Sequence, residues 1–145
     1  MIAEIETAIV ERLTSLKDDQ GLRVMAFPDK PDELGRAMPK GQVLVGFKRE
    51  NLEPPAAARN LGTSTIQPWR LEFELSLQLK DLRSHAGAYE VIRKIRELLT
   101  GYHPAESDRC LYETNAEFVD LNEGIWFYAM TFAIDLVYLK KSWSN

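Results

Sequence analysis

The chain has 145 residues, of which 45% are hydrophobic and 28% charged, a composition typical of a globular protein and not of a disordered chain. This length predicts a single domain covering residues 1–145. The formal net charge of −4 argues against a nucleic-acid binder with a broad basic face, and the single cysteine, Cys110, excludes an intramolecular disulfide.

The first predicted element is an amphipathic helix. Apolar residues recur at three- and four-residue steps: Ile2, Ile5, Ile9, Leu13 and Leu16. This spacing places them on one stripe of a helix, and Gly21 predicts its end. Glutamates near the start occupy positions where a signal peptide carries positive charge, so we expect no signal peptide.

Two strands and two long connections are predicted next. We predict strands at residues 22–27 (LRVMAF) and 42–47 (QVLVGF). Gly46 indicates a bulge or a close approach of another group. The connections are predicted at 28–41 and 48–68, where prolines and glycines interrupt the pattern. A structureless connection of such length is uncommon inside a compact domain and is often functional.

The clearest strand signal is the alternation in residues 69–82 (WRLEFELSLQLKDL). One side carries Leu71, Phe73, Leu75, Leu77 and Leu79, and the other carries polar residues, among them Glu72, Glu74 and Gln78. Such alternation is typical of a strand with one buried and one solvated face.

A second helix follows this strand. Ser84 predicts its N-cap, and Gly101 followed by Pro104 predicts its end. Its apolar stripe consists of Ala88, Val91, Ile92, Ile95, Leu98 and Leu99. The spacing of these residues places them on one side of the helix.

The last predicted element is a hairpin. Residues 111–121 and 125–139 flank the short segment 122–124 (NEG), as expected for two strands and a glycine-containing turn. The second of these strands is apolar on both faces, so either the two helices cover opposite faces or a partner subunit supplies the second cover. The predicted fold is therefore α+β, a mainly antiparallel sheet with two helices in the order α-β-β-β-α-β-β.

Candidate catalytic groups are few. His85 and His103 lie at opposite ends of the second helix, about 27 Å apart, and cannot share a metal ion within it. We expect both on the surface and Cys110 to be a buried or half-buried structural thiol. Glu72 and Glu74 lie about 6.8 Å apart on one strand face, a pairing that glycosidases use, but a solubilising role is favoured. The sequence contains no nucleotide-binding, zinc-protease or nucleophile-elbow motif.

One segment carries a resemblance. Residues 79–104, LKDLRSHAGAYEVIRKIRELLTGYHP, resemble the Mu-like family of phage tail proteins, which look like relatives of the tail terminator proteins of long-tailed phages. The matching features are RSHAGAY, IRELLTGYHP, the alternating strand after IQPWR, and the final hairpin with its long aromatic strand.

The resemblance implies a structural protein rather than an enzyme, with no catalytic residue, cofactor or metal. It implies a homohexameric ring that caps the tail tube, ends tail polymerisation and provides the surface on which the head docks. The implied partners are other copies of the chain, the tail tube protein, head–tail connector or neck proteins, and the sheath of a contractile tail. No membrane or sequence-specific nucleic-acid partner is implied. The implied location is the tail of the virion, assembled in the cytoplasm of the host bacterium.

Two sets of residues follow as hypotheses. The predicted oligomer-interface residues are Arg49, Asn51, Leu61, Trp69 and Gly87; the predicted lumen-facing residues are Glu72, Glu74 and Gln78. An acidic lumen would repel passing DNA. Two alternative functions stay open: a monomeric adaptor in a secretion or injection machine, and a small hydrolase that uses carboxylates.

Overall fold

The structure, a computed structural model, describes residues 1–28, 40–55, 64–80, 82 and 84–141. Its helices are α1 (Ile2–Arg12), α2 (Leu16–Gln20) and α3 (His85–Leu99), with a short 3₁₀ helix at Pro104–Glu106. Its strands are β1 (Arg23–Ala26), β2 (Gly41–Leu52), β3 (Ser64–Leu79), β4 (Tyr112–Asn122) and β5 (Ile125–Lys141). They form one sheet in the order β1-β2-β3-β5-β4, in which β1 and β2 are parallel and the other neighbours antiparallel. The predicted α+β class is confirmed.

The first predicted helix is broken into two. α1 ends at Arg12 and α2 begins at Leu16. In the break, the hydroxyl of Thr14 donates to the Glu11 carbonyl at 2.8 Å, a local bond that competes with helix propagation. Leu16 remains buried in the core, so the apolar stripe continues across the break. For this reason the periodicity of the sequence does not reveal the break. Gly21 ends α2 with φ 68°, as predicted.

The strands β2, β3 and β5 are longer than predicted, and the prediction of a connection at 48–68 is wrong. β2 continues to Leu52 and β3 begins at Ser64, so the connection is reduced to residues 53–63. Residues 56–63 lie outside the described part of the chain. Most of the connection predicted at 28–41 also lies outside it, at 29–39.

The side chains of β3 alternate between the two faces of the sheet. Its odd-numbered residues face α1 and α3, and we call this side the helix-covered face. The core there is one cluster that includes Ile5, Ile9, Leu13, Phe73, Leu75, Leu77, Ala88, Val91, Ile95, Met130, Phe132 and Ile134. The even-numbered residues of β3 lie on the opposite face, where none of the described helices packs, and we call it the helix-free face. Because α1 and α3 share one core, the alternative in which the helices cover opposite faces is wrong.

The predicted turns and caps are confirmed. The β4–β5 hairpin turns on Glu123 and Gly124, both with positive φ (51° and 77°), as a two-residue turn of the type I′ kind requires. The Ser84 side chain accepts a hydrogen bond from the Ala86 amide at 3.3 Å at the start of α3. Gly101 follows α3 with φ 82°.

Two smaller expectations have different outcomes. Gly46 marks a close approach, because a Cβ there would lie 2.5 Å from a ring atom of Phe27. The register shift lies next to it, between Phe47 and Arg49. Cys110, predicted as buried or half-buried, is exposed. Its neighbour Leu111 is buried, so the backbone turns one side chain inward and the other outward.

The outer strand β4 is irregular. Its pairing with β5 shifts register between Glu113 and Asn115 and again between Phe118 and Asp120. These are β-bulges, which bend a strand and interrupt its hydrogen-bonding pattern.

Candidate functional site

The predicted lumen residues lie together on the helix-free face of β3. Glu72, Glu74 and Gln78 are each half-buried. Glu72 forms an ion pair with Arg49 (Nε to Oε2, 3.0 Å) and accepts a hydrogen bond from Asn51 (3.2 Å). The face is therefore not uniformly acidic, because β2 places a cation beside Glu72. Sequence alternation along β3 could not reveal this, since the register between strands was unknown.

A polar ladder continues along the same face. Gln42, fully buried, donates its side-chain amide to Oε1 of Gln78 at 2.9 Å. Arg23 in turn donates to Oε1 of Gln42. Lys48 donates to the hydroxyl of Thr131 at 3.3 Å. The helix-free face thus joins side chains from β1, β2, β3 and β5 through hydrogen bonds.

A charge cluster marks the point where β3 and β5 leave the core. Arg70 Nε contacts Asp135 Oδ1 at 2.7 Å, and the hydroxyl of Tyr112 donates to Asp135 Oδ2 at 2.9 Å. Burial raises the pKa of Asp135, but the hydrogen bonds from Arg70 and Tyr112 lower it, and the net pKa lies below the usual value. Burial and the hydrogen bond to Asp135 raise the pKa of Tyr112.

Trp69 and its neighbours lie on the other side of the same strands. The Trp69 indole nitrogen donates to Glu50 Oε2 at 3.0 Å. Its ring makes an edge contact with Tyr138, with the centroids 6.2 Å apart. Trp69, predicted at an oligomer interface, therefore has contacts within its own chain.

Three of the other four predicted interface residues have contacts within the chain, and the fourth lies outside the described residues. A Cβ on Gly87 would lie 2.7 Å from Cδ2 of Leu82, so this glycine allows close packing within the chain. Arg49 and Asn51 both contact Glu72. Leu61 lies outside the described residues.

Beyond the helices, three strands continue as an arm, which we define as residues 49–52 of β2, 65–70 of β3 and 135–139 of β5. β3 and β5 have 16 and 17 residues, roughly three times the mean strand length of about 5–6. Several apolar side chains in the arm are 41–55% exposed: Leu52, Ile66, Val137, Tyr138 and Leu139. Sequence reasoning assigned part of this region to a loop and missed the arm.

A second exposed apolar surface lies at the opposite end of β5. We call it the hairpin patch and define it as His85, Tyr89, Phe118, Leu121, Trp126 and Tyr128. The His85 ring contacts Trp126 and Phe118 with centroid separations of 4.7 and 5.0 Å, and its Nδ1 is 2.7 Å from the Tyr128 hydroxyl. Tyr89, Phe118 and Leu121 are exposed, whereas Tyr128 is buried. Burial raises the pKa of Tyr128, and the nearby Tyr89 adds to this shift.

The histidines are on the surface, as predicted, but their surroundings were not foreseen. His85 belongs to the hairpin patch. His103 lines an open groove of about 710 Å³ between α1 and the 3₁₀ helix, together with Glu4, Glu11 and Glu106. In the described part of the chain, no three His, Cys, Asp or Glu side chains are grouped as metal ligands. No helix among those residues is long and apolar enough to cross a membrane.

The fold defines an α+β protein in which one layer of helices covers part of a long, mostly antiparallel sheet. The chain belongs to the Gp37 protein family, whose model matches residues 9–144. Its fold is similar to that of a chain in a solved structure described as "Virion of native gene transfer agent (GTA) particle". Sequence identity is 16%, the TM-score is 0.61, and the match covers 92% of this chain and 94% of that chain. No curated protein matches.

These findings support the resemblance at the level of phage-associated proteins. They do not confirm the specific likeness to Mu-like tail proteins or to tail terminators, which stays a prediction.

Proposed function

We propose that the protein is a structural component of a phage or phage-like virion that closes the end of the tail tube as a homohexameric ring. In this role it stops tube polymerisation and presents the surface on which the head docks. The observation that carries the proposal is the family membership together with a fold similar to that of a chain in a virion particle. The sequence resemblance to tail terminators supplies the specific position in the tail.

The surfaces of the chain support an assembly role. The arm and the hairpin patch expose large apolar side chains at two ends of the sheet. Exposed apolar surface of this kind marks protein–protein contacts more often than it marks a monomer in water. Glu72, one of the two carboxylates considered for glycoside hydrolysis, is engaged by Arg49 and Asn51.

The proposed partners follow from the proposed position. They are other copies of the chain, the tail tube protein on one side, and head–tail connector or neck proteins on the other. In a contractile tail the sheath is a further partner. The protein would act in the tail of the virion after assembly in the cytoplasm of the host bacterium.

Within this proposal, Glu72, Glu74 and Gln78 border the lumen of the ring. Among the described residues Glu72 has an ion-pair partner within 4.0 Å and Glu74 does not. Glu74→Lys should therefore change the electrostatic potential of the lumen with little structural effect. We expect reduced DNA delivery with normal ring assembly; unchanged infectivity would argue against the lumen assignment.

The central experiment is deletion of the gene in the phage or particle that encodes it. Overlong, headless tails in negative-stain images would support the proposal. Tails of normal length joined to heads would overturn it. Imaging and light-scattering mass of the purified protein separate the alternatives: a six-fold ring supports the tail role, a persistent monomer that binds one partner indicates an adaptor, and turnover of a glycan indicates a hydrolase.

A further inference from the structure

A β-bulge lies in β2 where the helix-covered part of the sheet passes into the arm. Phe47 pairs with Phe73, and Arg49 pairs with the adjacent Glu72, so Lys48 is an extra residue. A bulge of this kind places two residues of one strand opposite one residue of its neighbour. The outer side of the sheet is therefore one residue longer than β3 at this point.

A second bulge lies in β4, on the other side of the sheet. Glu113 pairs with Phe132, and Asn115 pairs with the adjacent Thr131, so Thr114 is the extra residue. This bulge is separate from the one nearer the β4–β5 turn, which lies between Phe118 and Asp120.

The two central strands connect these bulges. β3 and β5 pair residue for residue along the whole of β3, and this pairing joins Phe73 directly to Phe132. The bulges of β2 and β4 therefore adjoin one row of paired residues across four strands. We call it the junction row, and its members are Phe47, Phe73, Phe132 and Glu113.

The junction row is fixed to the helices. Phe73 and Phe132 are completely buried in the core. Arg96 of α3 contacts both carboxylate oxygens of Glu113, with its Nε at 2.6 Å and a terminal guanidinium nitrogen at 3.2 Å. Arg49, the first arm residue of β2, is the next paired residue after Phe47. The row thus marks the boundary between the anchored part of the sheet and the arm.

The paired bulges have a mechanical consequence. Each outer strand fits one more residue, about 3.4 Å of chain, beside a central pair of strands that has no extra residue at this row. A strand accommodates the extra residue by bending and by increasing its twist. Bulges at defined positions are a means by which sheets acquire curvature. Two bulges that flank the same row act on the direction of the sheet at one place.

Side chains contribute less than the extra backbone. The Lys48 ammonium donates to the hydroxyl of Thr131 at 3.3 Å, and the Thr114 hydroxyl donates to the Thr131 carbonyl at 3.4 Å. Both distances are longer than is usual for hydrogen bonds of these kinds. The two bonds join both extra residues to one buried residue of β5, but they hold the bulges only weakly.

We propose that the two bulges at the junction row set the direction in which the arm leaves the helix-covered part of the sheet. Lys48 and Thr114 are positioning residues, and they act through the backbone that they add to β2 and β4. The inference concerns a single copy of the chain and does not depend on the proposed function. The direction of the arm determines where its exposed apolar side chains are presented.

The test is deletion of each extra residue. Deletion of Lys48 leaves Arg49 opposite Glu72 and keeps every other pair between β2 and β3, because the deleted residue has no partner in β3. Deletion of Thr114 keeps the pairs between β4 and β5 for the same reason. Each deletion therefore changes a bulge into regular pairing without moving side chains to the opposite face.

Two controls match these deletions. Lys48→Ala removes the side chain and its hydrogen bond but keeps the bulge. Deletion of Val119 removes the extra residue of the other β4 bulge, which lies away from the junction row. The first control separates the added backbone from the side chain, and the second separates the junction row from bulges in general.

The direction of the arm is measured as a distance between two spin labels by pulsed electron paramagnetic resonance. One label is placed in the arm with Leu139→Cys and the other on α3 with Glu97→Cys, since both side chains are exposed. The exposed native thiol is removed with Cys110→Ser. Labelled protein is diluted in excess unlabelled protein, so that the measured distances lie within one copy.

We expect deletion of Lys48 and deletion of Thr114 each to shift the mean distance by about 3 Å or more, because a bend of about 10° moves the end of a ~20 Å arm by this amount. Lys48→Ala and deletion of Val119 should leave the mean distance unchanged. Thermal unfolding shows whether each variant is folded.

The remaining outcomes contradict the proposal. Unchanged distances after both deletions would overturn it, and a shift after only one deletion would overturn the joint role of the two bulges. An equal shift with Lys48→Ala would assign the effect to the side chain. Failure of both deletion variants to fold would also overturn the proposal, because the extra residues would then support the fold as a whole.

Discussion

The two halves of the sheet differ in what covers them. In the first half, β3 and β5 pack against α1 and α3, and Phe73, Phe132 and Ile134 are completely buried. In the arm, the same strands continue with the same alternation beyond the described helices, and five large apolar side chains are 41–55% exposed: Leu52, Ile66, Val137, Tyr138 and Leu139. The comparison teaches that one strand can supply both a folding core and a surface for contacts. We expect the stability of the fold to depend on the first half, and the proposed assembly to depend on the second.

The largest expected effect is in the covered half. Phe73→Ala removes a fully buried ring that packs edge-on against Phe47, and it should lower the free energy of unfolding by about 3–5 kcal/mol. Ile66→Ala in the arm should lower it by less than about 1 kcal/mol. Urea denaturation of the monomeric protein measures both. Similar losses for the two variants would show that the arm is part of the cooperative core.

A smaller effect is expected at the close approach between β1 and β2. Gly46→Ala places a Cβ against Phe27 and should lower the free energy of unfolding by about 1–3 kcal/mol. Phe27→Ala in the same chain should restore part of this loss, because it removes the ring that the new methyl group meets. A double-mutant cycle with no coupling between the two positions would contradict this explanation.

At the base of the arm, the ion pair of Glu72 should contribute about 1 kcal/mol at most, since the Arg49 side chain is 54% exposed. Glu72→Lys places like charges together and should destabilise the protein modestly. The charge swap Glu72→Lys with Arg49→Glu should recover most of the loss. Thermal unfolding at low salt measures the stability of the wild type, the single variant and the charge swap. Equal stability of the single variant and the swap would exclude a role for the ion pair.

The smallest effect is expected at Asp135, whose side chain is 49% exposed. Asp135→Asn should lower stability by less than about 1 kcal/mol at neutral pH. The pKa of Asp135 is lowered in the folded state, so its contribution is complete above the ordinary carboxyl pKa of about 3.9 and is lost as pH falls through the lower folded value. Wild type and variant should therefore converge in acid. A difference that persists at low pH would point to lost packing instead of lost charge.

The sequence was informative where a local pattern determines local structure. The alternation around Phe73 separated the buried from the solvated side of β3, and the segment at 122–124 identified the hairpin turn. The break between α1 and α2 could not be predicted, because Leu13 and Leu16 continue the apolar stripe in phase. The position of the helices on one face also could not be predicted, since it depends on tertiary packing.

The functional surfaces were harder to predict than the fold. The arm was missed because Pro68 and the polar residues around it interrupt the pattern that marks strands, although pairing with β5 extends β3 to Ser64. The acidic row of β3 was identified, but the cation that neutralises Glu72 lies on β2, and its position depends on a register that only the structure supplies. The hairpin patch combines α3, β4 and β5, so no single stretch of sequence contains it.

The irregular outer strand β4 has a consequence for how copies of the chain can meet. A smooth outer strand invites another strand to extend the sheet without limit, which leads to fibrils. The two bulges of β4, and the carboxylates of Glu113, Glu117 and Asp120 along it, make it a poor template for such growth. Sheet extension through this edge is disfavoured, so the proposed assembly of copies would use contacts between side-chain surfaces, which can end in a particle of fixed size.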